Sequence, residues 1–139
     1  MKENVTVSLR GIRTGADEGK NDIKASGRYR FVNGKHVVKY EERKEEGGSS
    51  RVLLSFNDKL LEMSKSGDAS IRLHFEKGKS GSAIYSLPYG NIMVKTKTRE
   101  LSFTEKEDLM EILLIYDLMI EGAGTTRFRL DISIEPERN

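Results

Sequence analysis

The sequence predicts an all-β fold, a sandwich or a barrel of about eight to ten strands with no major helix. Three observations carry that prediction. Apolar residues recur at every second position through most of the chain, the period of a strand with one buried face. Turn residues interrupt these runs about every ten residues. The one stretch with helical spacing, residues 108–121, matches a strand better.

Val5, Val7 and Leu9 alternate with Thr6, Ser8 and Arg10 in the first strand. Ile23, Ala25, Gly27, Tyr29 and Phe31 continue the pattern and end at Asn33-Gly34. Both central positions of a type I′ turn need positive φ, which Asn and Gly tolerate. Folding about that turn sets Phe31 opposite His36, Tyr29 opposite Val38 and Gly27 opposite Tyr40, all on one face. A turn at Asn57-Asp58 joins Val52, Leu54 and Phe56 to Leu61 and Met63, with Leu54 expected opposite Leu61. Ile71, Leu73 and Phe75 form the next run, and Gly78-Lys79-Ser80-Gly81 a hairpin loop. Ala83 to Leu87 follow, ended by Pro88, which has no N–H for a ladder. Ile92, Val94, Thr96 and Thr98 alternate again.

Between 108 and 121, a helix would align Leu109, Ile112, Leu113, Tyr116 and Ile120 behind Asp108 as N-cap. A strand would align Met110, Ile112, Leu114, Tyr116 and Leu118. A hairpin about Gly122-Ala123-Gly124 favours the strand. It sets Leu118 against Phe128, Tyr116 against Leu130, Leu114 against Ile132, Ile112 against Ile134, and Asp117 against Arg129. The expected core is Tyr29, Phe31, Val38, Leu54, Leu61, Leu73, Leu114, Tyr116, Phe128, Leu130 and Ile132.

The chain has 139 residues, one domain's worth, so a single domain over 1–139 is expected. It carries 24 Lys+Arg against 22 Asp+Glu, with 36% apolar and 33% charged residues. That balance excludes a disordered tail and a membrane helix bundle. The absence of cysteine excludes disulfides, thiol catalysis and zinc–thiolate sites. Met1-Lys2-Glu3-Asn4-Val5 lacks the apolar run of a secretory signal, so a cytoplasmic location with no membrane is expected.

Gly27-Arg28-Tyr29, Asn33-Gly34 and Tyr40-Glu41-Glu42 occur in that order. Tyr89-Gly90, the run Ile92 to Thr98 and Tyr116-Asp117-Leu118 before Gly122 follow. In order and spacing the chain resembles the YwiB-like family of uncharacterised bacterial proteins over nearly its whole length. The resemblance implies a closed antiparallel calycin-like (lipocalin-related) barrel and brings no catalytic residues. The chain has no tryptophan, hence no Gly-x-Trp lipocalin signature, so ligand transport is not implied.

Site chemistry narrows mainly by exclusion. His36 and His74 fall on different strands, so no metal site and no cofactor are expected. Gly78-Lys79-Ser80 resembles the end of a P-loop, but Leu73 stands where the first glycine belongs. No serine lies in a Gly-x-Ser-x-Gly elbow. No catalytic residue is assigned, and the leaning is away from an enzyme.

The inward polar set is Tyr29, His36, Tyr40, Thr96, Thr98 and Tyr116, with Glu42 at the barrel mouth. A few polar groups in an apolar interior point to a barrel that binds a small apolar or amphipathic ligand. The alternative is an interaction module. Arg10, Lys24, Arg28, Arg30, Lys35, Lys39 and Arg43 face outward against Glu41 alone, with Arg28 opposite Lys39 and Lys24 opposite Arg43. Such a face suits RNA or an acidic protein partner. A net charge of only +2 and the lack of interleaved aromatics disfavour nucleic acid. Glu105, Glu107, Asp108 and Glu111 are candidates to offset the basic face. Glu41, Glu42, Glu45 and Glu46 otherwise read as a solvated run. The outer face of the 109–121 strand carries Leu109, Leu113, Ile115 and Met119, unusually apolar for a strand facing water. A homodimer is therefore expected, with Leu113 and Ile115 near the centre of its contact.

Overall fold

The structure, a computed structural model, describes residues 1–43 and 47–138. Glu45 and Glu46 of the charged run lie outside them. Ten strands follow one another: β1 (Asn4–Gly15), β2 (Gly19–Val32), β3 (Lys35–Arg43), β4 (Ser49–Phe56), β5 (Leu60–Ser66), β6 (Ile71–Glu76), β7 (Ser80–Leu87), β8 (Gly90–Lys106), β9 (Leu109–Ile120) and β10 (Gly124–Pro136). Among the described residues there is no helix.

All ten strands belong to one antiparallel sheet in the order β6-β5-β4-β3-β2-β1-β10-β9-β8-β7. Short hairpins explain the neighbours in sequence, and β1 against β10 joins the two halves. The sheet curls until β6 and β7 meet. There Ser70 and Ser86 exchange two backbone hydrogen bonds, of 2.9 and 2.8 Å. Among the described residues the rest of that seam has no backbone hydrogen bonds, so the barrel is nearly closed.

The Asn33-Gly34 turn forms as expected, with φ of 51° and 76°. Phe31 pairs with His36, Tyr29 with Val38 and Gly27 with Tyr40. Two other hairpins differ from expectation by two residues. Phe56, not Leu54, faces Leu61, and Leu54 faces Met63. The cause is the Asn57 side chain. Its Oδ1 accepts from the backbone N–H groups of Lys59 at 2.9 Å and Leu60 at 3.1 Å, which widens the turn. In the last hairpin Ile120 faces Gly124, with Gly122 and Gly124 at φ of 80° and 84°. Tyr116 therefore faces Phe128, and Asp117 faces Arg127 rather than Arg129. A slip of two keeps every side chain on its own face, so the core survives while the partners change.

β8 extends well beyond the alternation visible in the sequence. A register shift between Thr98 and Glu100 brings Leu101 and Phe103 inward. The core runs from Val5 and Val7 through Val38, Leu54, Phe56, Leu61 and Phe75 to Leu114, Ile132 and Ile134. Phe31 is the exception to the expected core, at 59% exposure. The β1–β2 ladder ends at Asn4 opposite Arg28, so the tip of β2 overhangs the barrel. Tyr29 and Phe128 are half-buried.

Candidate functional site

On β3 the inward residues are His36, Val38, Tyr40 and Glu42. Six residues at about 3.3 Å each place His36 and Glu42 roughly 20 Å apart, toward opposite ends of the barrel. The two ends are built differently.

Around His36 the barrel is filled. Its ring centroid lies 5.8 Å from Tyr29, 5.0 Å from Phe31, and 5.3 Å from both Phe56 and Phe103. The Tyr29 hydroxyl is 2.8 Å from Nδ1, and Glu105 Oε1 lies 3.8 Å from Nε2. Burial and the nearby Glu105 carboxylate push the Tyr29 phenol up from its ordinary range. With Nδ1 bonded to the Tyr29 hydroxyl, the His36 ring acts as part of an aromatic plug.

Toward Glu42 the interior holds a cavity of about 240 Å³. Its walls are apolar, from Leu9, Ile23, Leu73, Leu118 and Leu130. Tyr116 is packed between Phe75 at 4.5 Å and Phe128 at 4.9 Å, the latter nearly parallel at 5°. Gly11 of β1 also lines the space, and a Cβ there would sit 3.2 Å from Leu130 Cδ2. An inward glycine in a strand thus helps to leave room. Ile71 and Leu73 of β6 and Tyr85 of β7 border the cavity along the incompletely bonded seam.

Three charged groups line the same cavity: Arg13, Glu42 and Lys65. Lys65 Nζ lies 3.3 Å from Glu42 Oε2, a close ion pair. That oxygen is nevertheless buried without a well-directed hydrogen bond, and so is the Tyr40 hydroxyl. Burial first, and then the Glu42 charge, push the Tyr40 phenol far above its usual range. Burial alone does the same to Tyr116. Buried polar atoms that lack a hydrogen bond carry a desolvation cost that a bound donor or acceptor would relieve.

Of the residues singled out from sequence, Glu42 and Tyr116 line the cavity. Tyr29 and His36 belong to the plug, and Thr96 is buried in the β8 wall. Gly11, Arg13, Lys65 and Tyr85 line it as well and are not among the site residues expected from sequence, although the inward parity of Gly11 and Lys65 is readable from the alternation. Among the described residues no group of three His, Asp or Glu side chains gathers to hold a metal.

On the outer face, Arg28 lies opposite Lys39 as expected. Lys24 and Arg43 do not pair, because the β2–β3 ladder ends at Gly27 and Tyr40. Partial offsets come from Glu3 to Arg28 at 3.0 Å, Asp22 to Arg10 at 3.5 Å and Glu62 to Lys35 at 3.1 Å. Arg30 and Arg43 are exposed. Leu113 and Ile115 are half-buried on the outside of β9. Beside them Asp117 is buried and accepts from Arg99 at 2.9 Å and Arg127 at 2.8 Å, clasping β8, β9 and β10 together. These hydrogen bonds, that of Arg127 foremost, hold its carboxyl below the usual carboxylate range.

Among the described residues no helix is long and apolar enough to cross a membrane. The fold is similar to the crystal structure of the YwiB protein from Bacillus subtilis, with a TM-score of 0.86 at 18% identity, over 98% of this chain and 93% of that one. No curated protein matches the sequence. A family model described as a domain of unknown function, DUF1934, matches residues 7–132. The chain therefore belongs to the DUF1934 family.

Proposed function

We propose that the protein is a non-enzymatic barrel that binds a compact amphipathic molecule in the open end beside Glu42. The observation that carries this reading is an apolar cavity of about 240 Å³ lined by Glu42, whose buried Oε2 has only the Lys65 ion pair at 3.3 Å, with the unbonded Tyr40 hydroxyl within reach of the Glu42 charge. Ligand pockets are mostly apolar with a few placed polar groups. The volume lies below the roughly 300–1,000 Å³ of drug-sized sites, which favours a single ring or short chain over a long acyl chain. Tyr116 and Phe128 supply a flat apolar wall, while Arg13, Glu42 and Lys65 suit the polar end of such a molecule.

Native mass spectrometry of protein purified from its own host tests this. Wild type should carry a small non-covalent adduct, and Leu118→Trp, which fills the cavity, should lose it. Wild type at its bare sequence mass, or an adduct retained in Leu118→Trp, would overturn the reading.

A further inference from the structure

A second concave region lies on the outside of the barrel and has no lining residue in common with the interior cavity. The registers align one outward row across five strands: Arg28 beside Lys39, Lys39 beside Leu53, Leu53 beside Ser64, and Ser64 beside Arg72. A second row places Glu41 beside Arg51, and Arg51 beside Ser66. Four spacings of about 4.8 Å put β2 and β6 roughly 19 Å apart along the sheet. Long basic side chains stand at both ends of the first row, with Leu53 and Ser64 between them. The result is a groove of about 700 Å³, with Ser26 and Ser66 adding further hydroxyls.

The charges in this groove are poorly compensated. Arg28 is paired with Glu3 at 3.0 Å. Lys39, Arg51 and Arg72 have no ion-pair partner among the described residues, although all three line the groove. Its two acids are Glu41 and Glu137, and Glu137 already accepts a 2.6 Å hydrogen bond from Ser26. Like charges facing each other across strands are destabilising, so Arg28 beside Lys39 is a standing repulsion that an anion would relieve.

We propose that this groove is a binding site for a small phosphorylated molecule carrying several negative charges. Arginine forks bind phosphate oxygens bidentately, and Arg51 and Arg72 offer two of them to one concave space. The Ser64 and Ser66 hydroxyls supply neutral donors to the remaining oxygens. The volume falls in the range of small-molecule sites. A nucleic-acid strand fits less well. The one aromatic residue of the groove, Tyr40, has its side chain buried and offers no face for base stacking. An acidic peptide fits less well too, because β3, β4 and β5 are paired on both sides and leave no edge for an added strand.

Calorimetry with inorganic triphosphate at low salt tests the site, with citrate as a carboxylate probe of similar charge. Wild type should bind triphosphate more tightly than citrate. Arg51→Gln/Arg72→Gln should weaken triphosphate by about tenfold or more. Lys95→Gln/Arg129→Gln removes the same charge elsewhere and should change affinity by no more than about twofold. Leu118→Trp should leave triphosphate binding intact, which separates this site from the interior one. Absence of heat at millimolar triphosphate, or equal losses in the two double variants, overturns the proposal. So does tighter binding of an oligouridylate or of polyglutamate that depends on Arg51 and Arg72.

Discussion

At one end of the barrel four aromatic rings close around His36. At the other, Gly11 withholds a side chain and a charged pair stands against an apolar space. Both ends grow from the same strands with the same alternation, so the difference lies in what the inward positions carry. At the plugged end the inward polar groups satisfy each other, as Tyr29 and His36 do at 2.8 Å. At the open end they do so only in part: the buried Tyr40 hydroxyl has no partner, and Glu42 Oε2 has the Lys65 ion pair but no hydrogen bond. Proteins tolerate such local disadvantage where a site is built, because the rest of the fold supplies the stability. The wall beside the open end has a compensating feature on its outer side. At the level of Tyr116, the Asp117 carboxylate ties three strands through Arg99 and Arg127, independently of what fills the interior.

The largest expected effect tests the two ends against each other. Phe56 is 1% exposed inside the plug, so Phe56→Ala should cost about 3–5 kcal/mol. Phe128 is half-buried and borders existing space, so Phe128→Ala should cost less, about 1–2 kcal/mol. Urea denaturation of both variants measures the difference. Equal losses would mean that the open end is packed as tightly as the plug.

The clasp comes next in size. Asp117→Ala should cost about 1–2 kcal/mol near neutral pH, more than an ordinary surface pair because the carboxylate is buried, yet moderate because both arginines regain water. Its folded-state pKa is depressed, so the stabilisation is present above the unfolded value of about 3.9 and is lost as the pH falls through the lower folded value. The gap between wild type and variant should thus be constant above about pH 5 and close on further acidification. A gap that persists unchanged in strong acid would show that the carboxylate acts by packing rather than charge.

Much of this architecture is legible in the sequence because strand parity is robust. A two-residue slip at Asn57 or at Gly122 leaves Leu54, Leu114 and Leu130 facing inward, so the barrel and most of its core follow from alternation alone. What parity cannot carry is position along the strand. It puts His36 and Glu42 on one face without revealing that one enters a plug and the other a cavity. Nor does it show that Phe31 lies beyond the last rung of β1, or that a bulge in β8 brings Phe103 to His36. Those facts depend on where ladders end and where a bulge falls, which alternation does not encode. The outer groove was legible only in part. Arg28 and Lys39 follow from the Asn33-Gly34 register, whereas Arg51 and Arg72 join them through hairpins whose exact partners the alternation leaves open.

The smallest expected effect is also the sharpest probe of the open end. The Tyr40 hydroxyl is buried without a partner, so Tyr40→Phe in ligand-free protein should be neutral or stabilising by up to about 1 kcal/mol. Removing a hydroxyl that was well bonded would instead destabilise by a similar amount, and a loss in the urea midpoint would overturn the assignment. Glu42→Gln supplies the electrostatic counterpart. The Glu42 charge helps to hold the Tyr40 phenol protonated, so neutralising it should move that titration downward. Tyr116, raised by burial alone, should not move, and serves as the internal reference in an alkaline absorbance titration. Because both phenols are raised on folding, their contribution to stability is full below the unfolded pKa of about 10. It is lost as the pH climbs through the folded values. The alkaline loss should therefore be smaller in Glu42→Gln than in wild type. An unchanged alkaline limb would mean that Lys65, 3.3 Å away, already cancels the carboxylate's field at Tyr40, and the polar end of the cavity would then act as a neutral pair rather than as an exposed charge.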